Sequence, residues 1–392
     1  MKIVVVGAKG TLGSAIANYW NDSRIERRIA ANVDAPVVES NDLVIPLNLP
    51  DFDLCSRLFV VETLSDFKPD VVVNAAGVNL IDWLETRANT ARNVHANAVA
   101  NLKEAVRRTG AFLVQFGCGE IFYRDRLTRL PEPNEGAKGA KTLQNSESGG
   151  NDEGLSGGRG ENGAAASSLI LPNSATSQEV VFDEWGNARP ILTIAPDAPA
   201  FSELDKPNPA SVYAKTKLES ERIAAEAPKS LILRTSSIFG ETTEYSSGNL
   251  VESLLKAFKR TRRLSALNDK IVEPTWAVDV LCALKTLVRT GATGLYHLSG
   301  GSRGTARDVA EFIAERRGLA NVQIAGISSK EYGFSAPQTA FTAYPIGVPR
   351  WPITSIGATA PGSKKRRLLL KALDKKSGAV GDAEDVANVV GV

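Results

Sequence analysis

At 392 residues the chain is long enough for two domains, or for one large domain carrying an insertion. Hydrophobic residues make up 43% and charged residues 23%, ordinary for a globular protein, and a net charge of +2 argues against a nucleic-acid-binding surface spread over the molecule. Three scattered cysteines (Cys55, Cys118, Cys282), two histidines and no Cys/His cluster argue against a disulfide framework or a metal site. In chain order, Lys2 to Val6 of "MKIVVVG" is a short apolar run of the kind buried in a parallel sheet. The start goes straight into that strand, with neither a cleavable signal nor an apolar run of spanning length. A cytoplasmic protein that touches no membrane is therefore expected. Gly7, Gly10 and Gly13 follow, and "SAIANYW" has helical periodicity. "RRIAANVD" reads as the next strand, ending at Asp34, and "DVVVNAAG" (Asp70 to Gly77) as the fourth. A helix from about Asn89 to Thr109 leads into "AFLVQFG"; later come the buried strand "SLILRTSSIFG" and the helix "GNLVESLLKAFKR". Strands alternating with helices predict an α/β fold with a doubly wound parallel sheet.

Two segments break the alternation. Residues 132–168 lack aromatic and β-branched apolar side chains and are dotted with glycine. Such a stretch cannot bury enough apolar surface to offset its ordering entropy, so disorder is expected there. After it, "QEVVFDEWGNARPILTI" suggests a hairpin over about 179–194, two strands around a Gly-Asn turn. From residue 362 the tail carries "KKRR", which reads as a solvated charge run.

The glycine turn is the first chemical signal. Dinucleotide sites place glycine where the backbone turns tightly, where pyrophosphate approaches, and where helix packs on strand. Here Gly7, Gly10 and Gly13 follow an apolar strand and open a helix, so the N–H groups of Thr11 and Leu12 would face the phosphates. Asp34 could hydrogen-bond an adenosine ribose and favour NAD. Lys9, with Arg27 or Arg28, could instead meet a 2′-phosphate and favour NADP. The choice between NADP and NAD stays open, with NADPH slightly favoured. Asn74, Ala75, Ala76 and Gly77 end a strand in small residues, which lets a cofactor lie against the sheet edge. The second signal is "NPASVYAKTKLESE", which sets Tyr213 four residues before Lys217 on one helical face.

With these pieces placed, the chain resembles an extended short-chain dehydrogenase/reductase, most closely the dTDP-4-dehydrorhamnose reductases. The matching blocks are "GAKGTLG", "PDVVVNAAGVNLIDWLE", "NPASVYAKTKLESE", "LILRTSSIFG", "LNDKIVEPTWAVDV", "GLYHLSGG" and "AYPIGVPRWPITS". They run in family order from residue 1 to about 357, interrupted by an insertion. The resemblance implies a Rossmann-type NAD(P)-binding domain (1–123 and 201–240), an insertion (124–200), and a smaller C-terminal substrate-binding lobe mainly within 241–361. Residues 362–392 follow as a tail. It implies hydride transfer to a sugar ketone, with Tyr213 as proton donor. Lys217 would lower the tyrosine's proton affinity and bind the nicotinamide ribose. It also implies a nucleotide-sugar substrate, met by Asn249, Thr275, Trp276 and Arg350. Helix capping would explain Asn249 nearly as well, and core packing Trp276. A second copy of the chain, or a protein partner reached through the insertion, is compatible with this reading.

The departures from the family pattern fall in "GCGEIF". Cys118 stands where relatives carry a hydroxyl that helps hold the substrate carbonyl, and Gly119 where they carry an acid. His95 replaces their usual asparagine. Cys118 is read as a substitute donor, as a small filler in a degenerate site, or as a reactive thiol. The leading expectation is a reductase of a 4-keto-6-deoxy nucleotide-sugar, as in rhamnose-precursor synthesis. Against it stands a dinucleotide-binding regulatory protein without catalysis, like the regulatory subunits of methionine adenosyltransferase. A nucleotide-sugar epimerase or dehydratase ranks third, because Glu120 alone remains of the acidic pair a dehydratase needs.

Overall fold

The structure is a computed structural model that describes residues 1–33, 37–123, 180–182, 188–190, 201–241, 248–300, 303–319, 321–340 and 389–390. Asp34, Arg350, the segment 132–168 and the basic run of the tail lie outside the described residues. The first half runs β1 (Lys2–Val6), α1 (Thr11–Tyr19), α2 (Ser23–Val33), β2 (Leu43–Leu47), α3 (Arg57–Phe67) and β3 (Val71–Asn74). Then come α4 (Ile81–Glu85), α5 (Ala88–Arg92), a π-helical turn (Asn93–Asn97), α6 (Ala98–Thr109) and β4 (Phe112–Cys118). An antiparallel pair follows, β5 (Val180–Phe182) with β6 (Ala188–Pro190). Next are α7 (Val212–Ala225), β7 (Ser230–Thr235), β8 (Ile238–Phe239), α8 (Leu250–Arg260), β9 (Arg263–Leu267), β10 (Ile271–Val272) and β11 (Thr275–Trp276). The described chain ends with α9 (Ala277–Arg289), β12 (Gly294–Leu298), β13 (Gly304–Thr305), α10 (Ala306–Arg316), β14 (Gln323–Ile327), α11 (Ser329–Tyr332) and β15 (Val389–Val390).

Six parallel strands form the main sheet in the order β12-β7-β4-β3-β1-β2. The order reverses between β1 and β3, and the crevice outside the strand ends at such a point is where open α/β sheets bind ligands. Helices cover both faces, which is why the central strands are apolar throughout. Ile3 and Val5 pack with α1 and α9, while Val4 and Val6 pack with α3 and α6. A separate core joins α8, β9 and α10 through Leu254, Phe258, Leu264 and Ala310. Among the described residues no helix is long and apolar enough to cross a membrane, and no group of three or more His, Cys, Asp or Glu could hold a metal ion.

Of the expected strand "RRIAANVD", residues 27–33 are helix instead, part of α2. Ile25 and Ile29, four residues apart, are both buried in the core shared with α9. The burial period is that of a helix, and the apolar run is too interrupted to be buried on two faces. The strand count therefore drops by one: "NAAG" follows the third strand and Cys118 ends the fourth. Glu26, on the same face of α2, accepts from Lys285 (2.5 Å) and from both terminal nitrogens of Arg289 (2.7 Å each). Lys285 also donates to the carbonyl of Trp20 and is fully buried. Replacing Glu26 by alanine leaves that ammonium without its ion-pair partner and is expected to cost about 3–5 kcal/mol of stability, read by urea unfolding. A loss under about 1 kcal/mol would show that Trp20 and solvent suffice.

Candidate active site

At the C-terminal edge of the sheet the chain leaves β1 through Gly7, at φ +78°. A Cβ on Gly7 would lie 2.6 Å from Ala76 Cα, and one on Gly13 only 2.1 Å from the Gly7 carbonyl oxygen. Both positions admit glycine alone, because the turn is pressed against the end of β3 while α1 is pressed against the turn. Gly10 is different: a Cβ there would meet nothing closer than 3.4 Å. Gly10 is the N-cap of α1 and offers no side-chain cap, and the first turn carries no acid. The opening N–H groups of α1 thus have no partner within their helix and present a positive end at the switch point. This cradle fits a dinucleotide pyrophosphate. Leu12 itself turns into the core. Asn48, which the sequence did not point to, holds the turn by accepting from the Lys9 N–H at 2.6 Å.

Asn74 is not free for a ligand. Its amide donates to Gln115 Oε1 (2.8 Å) and its Oδ1 accepts from the Ala76 N–H (3.2 Å), tying β3 to β4. Ala75, Ala76 and Gly77 remain at the edge. Arg28 is likewise engaged elsewhere: it pairs with Asp279, and its guanidinium lies 5.1 Å over the ring of Trp276. Arg27 bonds within its own helix to Ser23. Of the basic residues expected near a 2′-phosphate, Lys9 alone stays on the turn.

Next along the edge comes α7. Its start is pinned twice: Ser211 caps the Ala214 N–H (3.1 Å), and Glu85 at the end of α4 accepts from the Val212 N–H (2.9 Å). Asp82, one turn before Glu85, accepts from the Ala336 N–H (2.9 Å). The two acids of the "IDWLE" turn therefore brace the start of α7 and the segment after α11.

Tyr213 and Lys217 face β4 and are 9% and 8% exposed. Lys217 Nζ donates to the Phe116 carbonyl oxygen at 2.7 Å. Tyr213 packs in one buried cluster with Cys118, two residues on at the end of β4. Burial pushes the Cys118 thiol up to about 12, against the opposing pull of Lys217 and the Tyr213 hydroxyl. A buried thiol whose pKa is raised is a poor nucleophile, which argues against the reactive-thiol reading. Burial lowers the proton affinity of Lys217, while Cys118 and Glu221 oppose it.

His95 sits on the π-helical turn and meets Tyr213 edge-on, with ring centroids 5.5 Å apart. Its Nδ1 lies 2.9 Å from Thr216 Oγ1 and its Nε2 3.0 Å from the Val78 carbonyl oxygen. It thereby binds the loop after β3 to α7, across from Gly77. Burial, aided by Lys217, drops the His95 pKa to about 3; burial and Arg234 do the same to His297. For a base held neutral in the fold, the unfolded chain takes up the proton first. Stability is then complete above about pH 6.5 and is lost as pH falls toward 3. Each histidine should cost about 2 kcal/mol between pH 7 and pH 5, and His95→Asn should roughly halve the combined loss. Denaturant unfolding at the two pH values reads this directly; an unchanged slope in His95→Asn would disprove it.

The substrate-side expectations divide. Asn249 caps α8, accepting from the Glu252 N–H (3.0 Å), yet its amide nitrogen is buried with no hydrogen-bond partner. That orphan suits a ligand oxygen. Thr275 is 1% exposed; its hydroxyl donates to the Glu273 carbonyl (3.0 Å) and accepts from the Gly300 N–H (3.1 Å). It fastens two loops rather than facing a sugar. Trp276 is half-buried, with the Arg28 guanidinium over its ring. Glu120, just past Cys118, is ion-paired with the buried Lys270 (2.9 Å), which also donates to Gln338 (3.2 Å).

Comparison with known proteins agrees with this layout. The model of the NAD-dependent epimerase/dehydratase family matches residues 3–137, and that of the RmlD substrate binding domain matches residues 175–343. A dTDP-4-dehydrorhamnose reductase of Salmonella typhimurium is 24% identical over 333 residues, covering 83% of this chain and 81% of that protein. In structure, a dTDP-4-dehydrorhamnose reductase of Clostridium acetobutylicum superposes with TM-score 0.62 at 20% identity, covering 96% of this chain and 99% of the other. The enzyme of that kind from Bacillus anthracis, solved in complex with NADP, gives TM-score 0.61 at 17% identity, covering 94% and 99%. The chain belongs to the extended short-chain dehydrogenase/reductases, in their RmlD-like branch.

Proposed function

We propose that the chain is an NAD(P)H-dependent reductase of the 4-keto group of a 6-deoxy nucleotide-sugar, of the dTDP-4-dehydrorhamnose kind. The observation that carries this is Tyr213 and Lys217, held on one face of α7 against β4, at the same edge of the sheet as the uncapped start of α1. Gly7, Gly10 and Gly13, with the N–H groups of Thr11 and Leu12, would hold the cofactor pyrophosphate; Ala75 to Gly77 would border its adenosine half. A bound reduced nicotinamide supplies the hydride. Tyr213 then delivers a proton to the carbonyl oxygen as negative charge develops there. Lys217, charged one turn away, favours the phenolate left behind and so makes the phenol a stronger acid. Asn249, through its unpartnered amide, would contact the substrate.

The direct test follows NADPH and NADH oxidation with dTDP-4-dehydro-6-deoxy-L-lyxo-hexose. Turnover supports the proposal; tight cofactor binding without turnover sinks it for this substrate.

Cys118 favours a second reading. A buried thiol is a weak donor where relatives have a hydroxyl, and Cys118 is packed in the cluster around Tyr213. On that reading the protein binds a dinucleotide and has lost catalysis. The dehydratase alternative is weaker, because Glu120 is tied to Lys270 and Gly119 supplies no second acid.

A further inference from the structure

Behind the reactive face of α7 lies a buried ion pair with no part in the chemistry described so far. Glu221 is one turn past Lys217 and two past Tyr213. It accepts from Arg234 Nη2 at 2.8 Å and from Nε at 3.0 Å, and the two side chains are 4% and 6% exposed. Arg234 Nη1 is 3.3 Å from His297 Nε2, and His297 Nδ1 is 2.9 Å from the Phe201 carbonyl. A carbonyl only accepts, so Nδ1 carries the proton and Nε2 receives the bond from Arg234.

The strands explain why this pair fits. Gly117, Arg234 and His297 are register neighbours across β4, β7 and β12. A Cβ on Gly117 would lie 2.0 Å from Glu221 Oε1 and 2.9 Å from Arg234 Cγ. The carboxylate therefore occupies the space that a side chain at 117 would fill. Three consecutive residues of β4 thus receive three residues of α7: Phe116 takes the Lys217 ammonium, Gly117 makes room for Glu221, and Cys118 meets Tyr213.

We infer that Glu221 is a positioning residue for the Tyr213–Lys217 pair, seated by Arg234 in the gap at Gly117 so that α7 keeps its rotation on β4 and Lys217 keeps its charge. Lys217 is faced by the Phe116 carbonyl and Cys118 thiol from β4, by neutral His95 from the π-helical turn, and by Tyr213 and Glu221 from its own helix. Arg234 of β7 stands behind Glu221, and Glu120 is engaged by Lys270. Glu221 is the carboxylate in this set that favours the ammonium. The catalytic consequence rests on the reductase reading; the effect on Lys217 does not.

The test uses the full chain carrying lysine labelled with carbon-13 at Cε, the Lys217 resonance being assigned by Lys217→Met. In Glu221→Gln, which keeps size and one bond to Arg234 but loses the charge, Lys217 should titrate at lower pH than in the parent. Glu221→Asp should restore much of the shift. Gly117→Ala, with Glu221 and Arg234 both present, should reproduce the shift by displacing the carboxylate, and it carries the test if the Glu221 variants do not fold. In turnover, Glu221→Gln should lower kcat about tenfold at alkaline pH and little below neutrality. An unchanged Lys217 titration in folded Glu221→Gln, with only a lower Tm, would reduce the pair to a structural clamp and overturn the inference. A shifted titration in a chain that turns over no nucleotide-sugar would instead uphold the inference and sink the reductase reading.

Discussion

Replacing Tyr213 by phenylalanine is expected to lower kcat by about 10²–10⁴-fold, the range for loss of a positioned general acid. Affinity for NADPH should stay within about threefold of the parent, because the glycine turn and the start of α1 are untouched. The separation follows from where Tyr213 lies. Tyr213 stands in the first turn of α7, and its ring is buried in a cluster with Cys118, Leu84, Ile121, Phe122 and Leu218. Phenylalanine keeps those ring contacts, so the fold should hold. Stopped-flow NADPH oxidation and fluorescence titration of the cofactor measure the two quantities. Equal turnover in parent and variant would take the acid role away from Tyr213. A large loss of cofactor affinity would show that α7 had shifted, and the kinetic result would then say nothing about the proton.

Replacing Cys118 by threonine tests the donor that this chain lacks. The thiol is 9% exposed, its pKa pushed up by burial, and it is packed in one cluster with Tyr213. A hydroxyl is a much better donor than a thiol, and one donor to a developing oxyanion is worth on the order of 10²–10³ in rate. Cys118→Thr should therefore raise kcat, by up to about 10²-fold if carbonyl polarisation limits turnover. The added methyl enters a packed cluster and is expected to cost about 1 kcal/mol or more. Cys118→Ser supplies the hydroxyl without the methyl and separates the two effects. An increase in both variants supports a weakened enzyme. No change from an undetectable baseline in either would mean that more than the donor is missing, and would favour the binding-protein reading.

Several features of the site are legible in the sequence alone. The glycine turn stands where its spacing placed it, and Gly7 and Gly13 are glycine for a reason the spacing already implied: backbone passes backbone there. Tyr213 and Lys217 share a face because four residues make about one helical turn. Glu221 lies in the same short stretch, eight residues past Tyr213, and Arg234 is the single charge in an apolar strand. Such a charge is a visible sign that a buried partner must exist. Which residue that partner is cannot be read the same way, because Glu221 and Arg234 belong to different elements.

Local sequence determined the alternation of strands and helices, the uncapped start of α1 and the composition of each strand. These follow from contacts a few residues apart. Tertiary structure decided the rest. Residues 27–33 became helix with the rest of α2, because Ile25, Glu26 and Ile29 meet α9, far along the chain. Arg28, expected near a 2′-phosphate, is engaged by Asp279 and by the ring of Trp276, both far along the chain. Asn74 and Thr275 are closed inside the fold by Gln115 and by Gly300. Each of these polar side chains had two destinations of similar chemistry, a ligand or the protein itself. Once the sheet is assembled the protein's own groups lie at hydrogen-bond distance in a buried setting, where an unmade bond costs most.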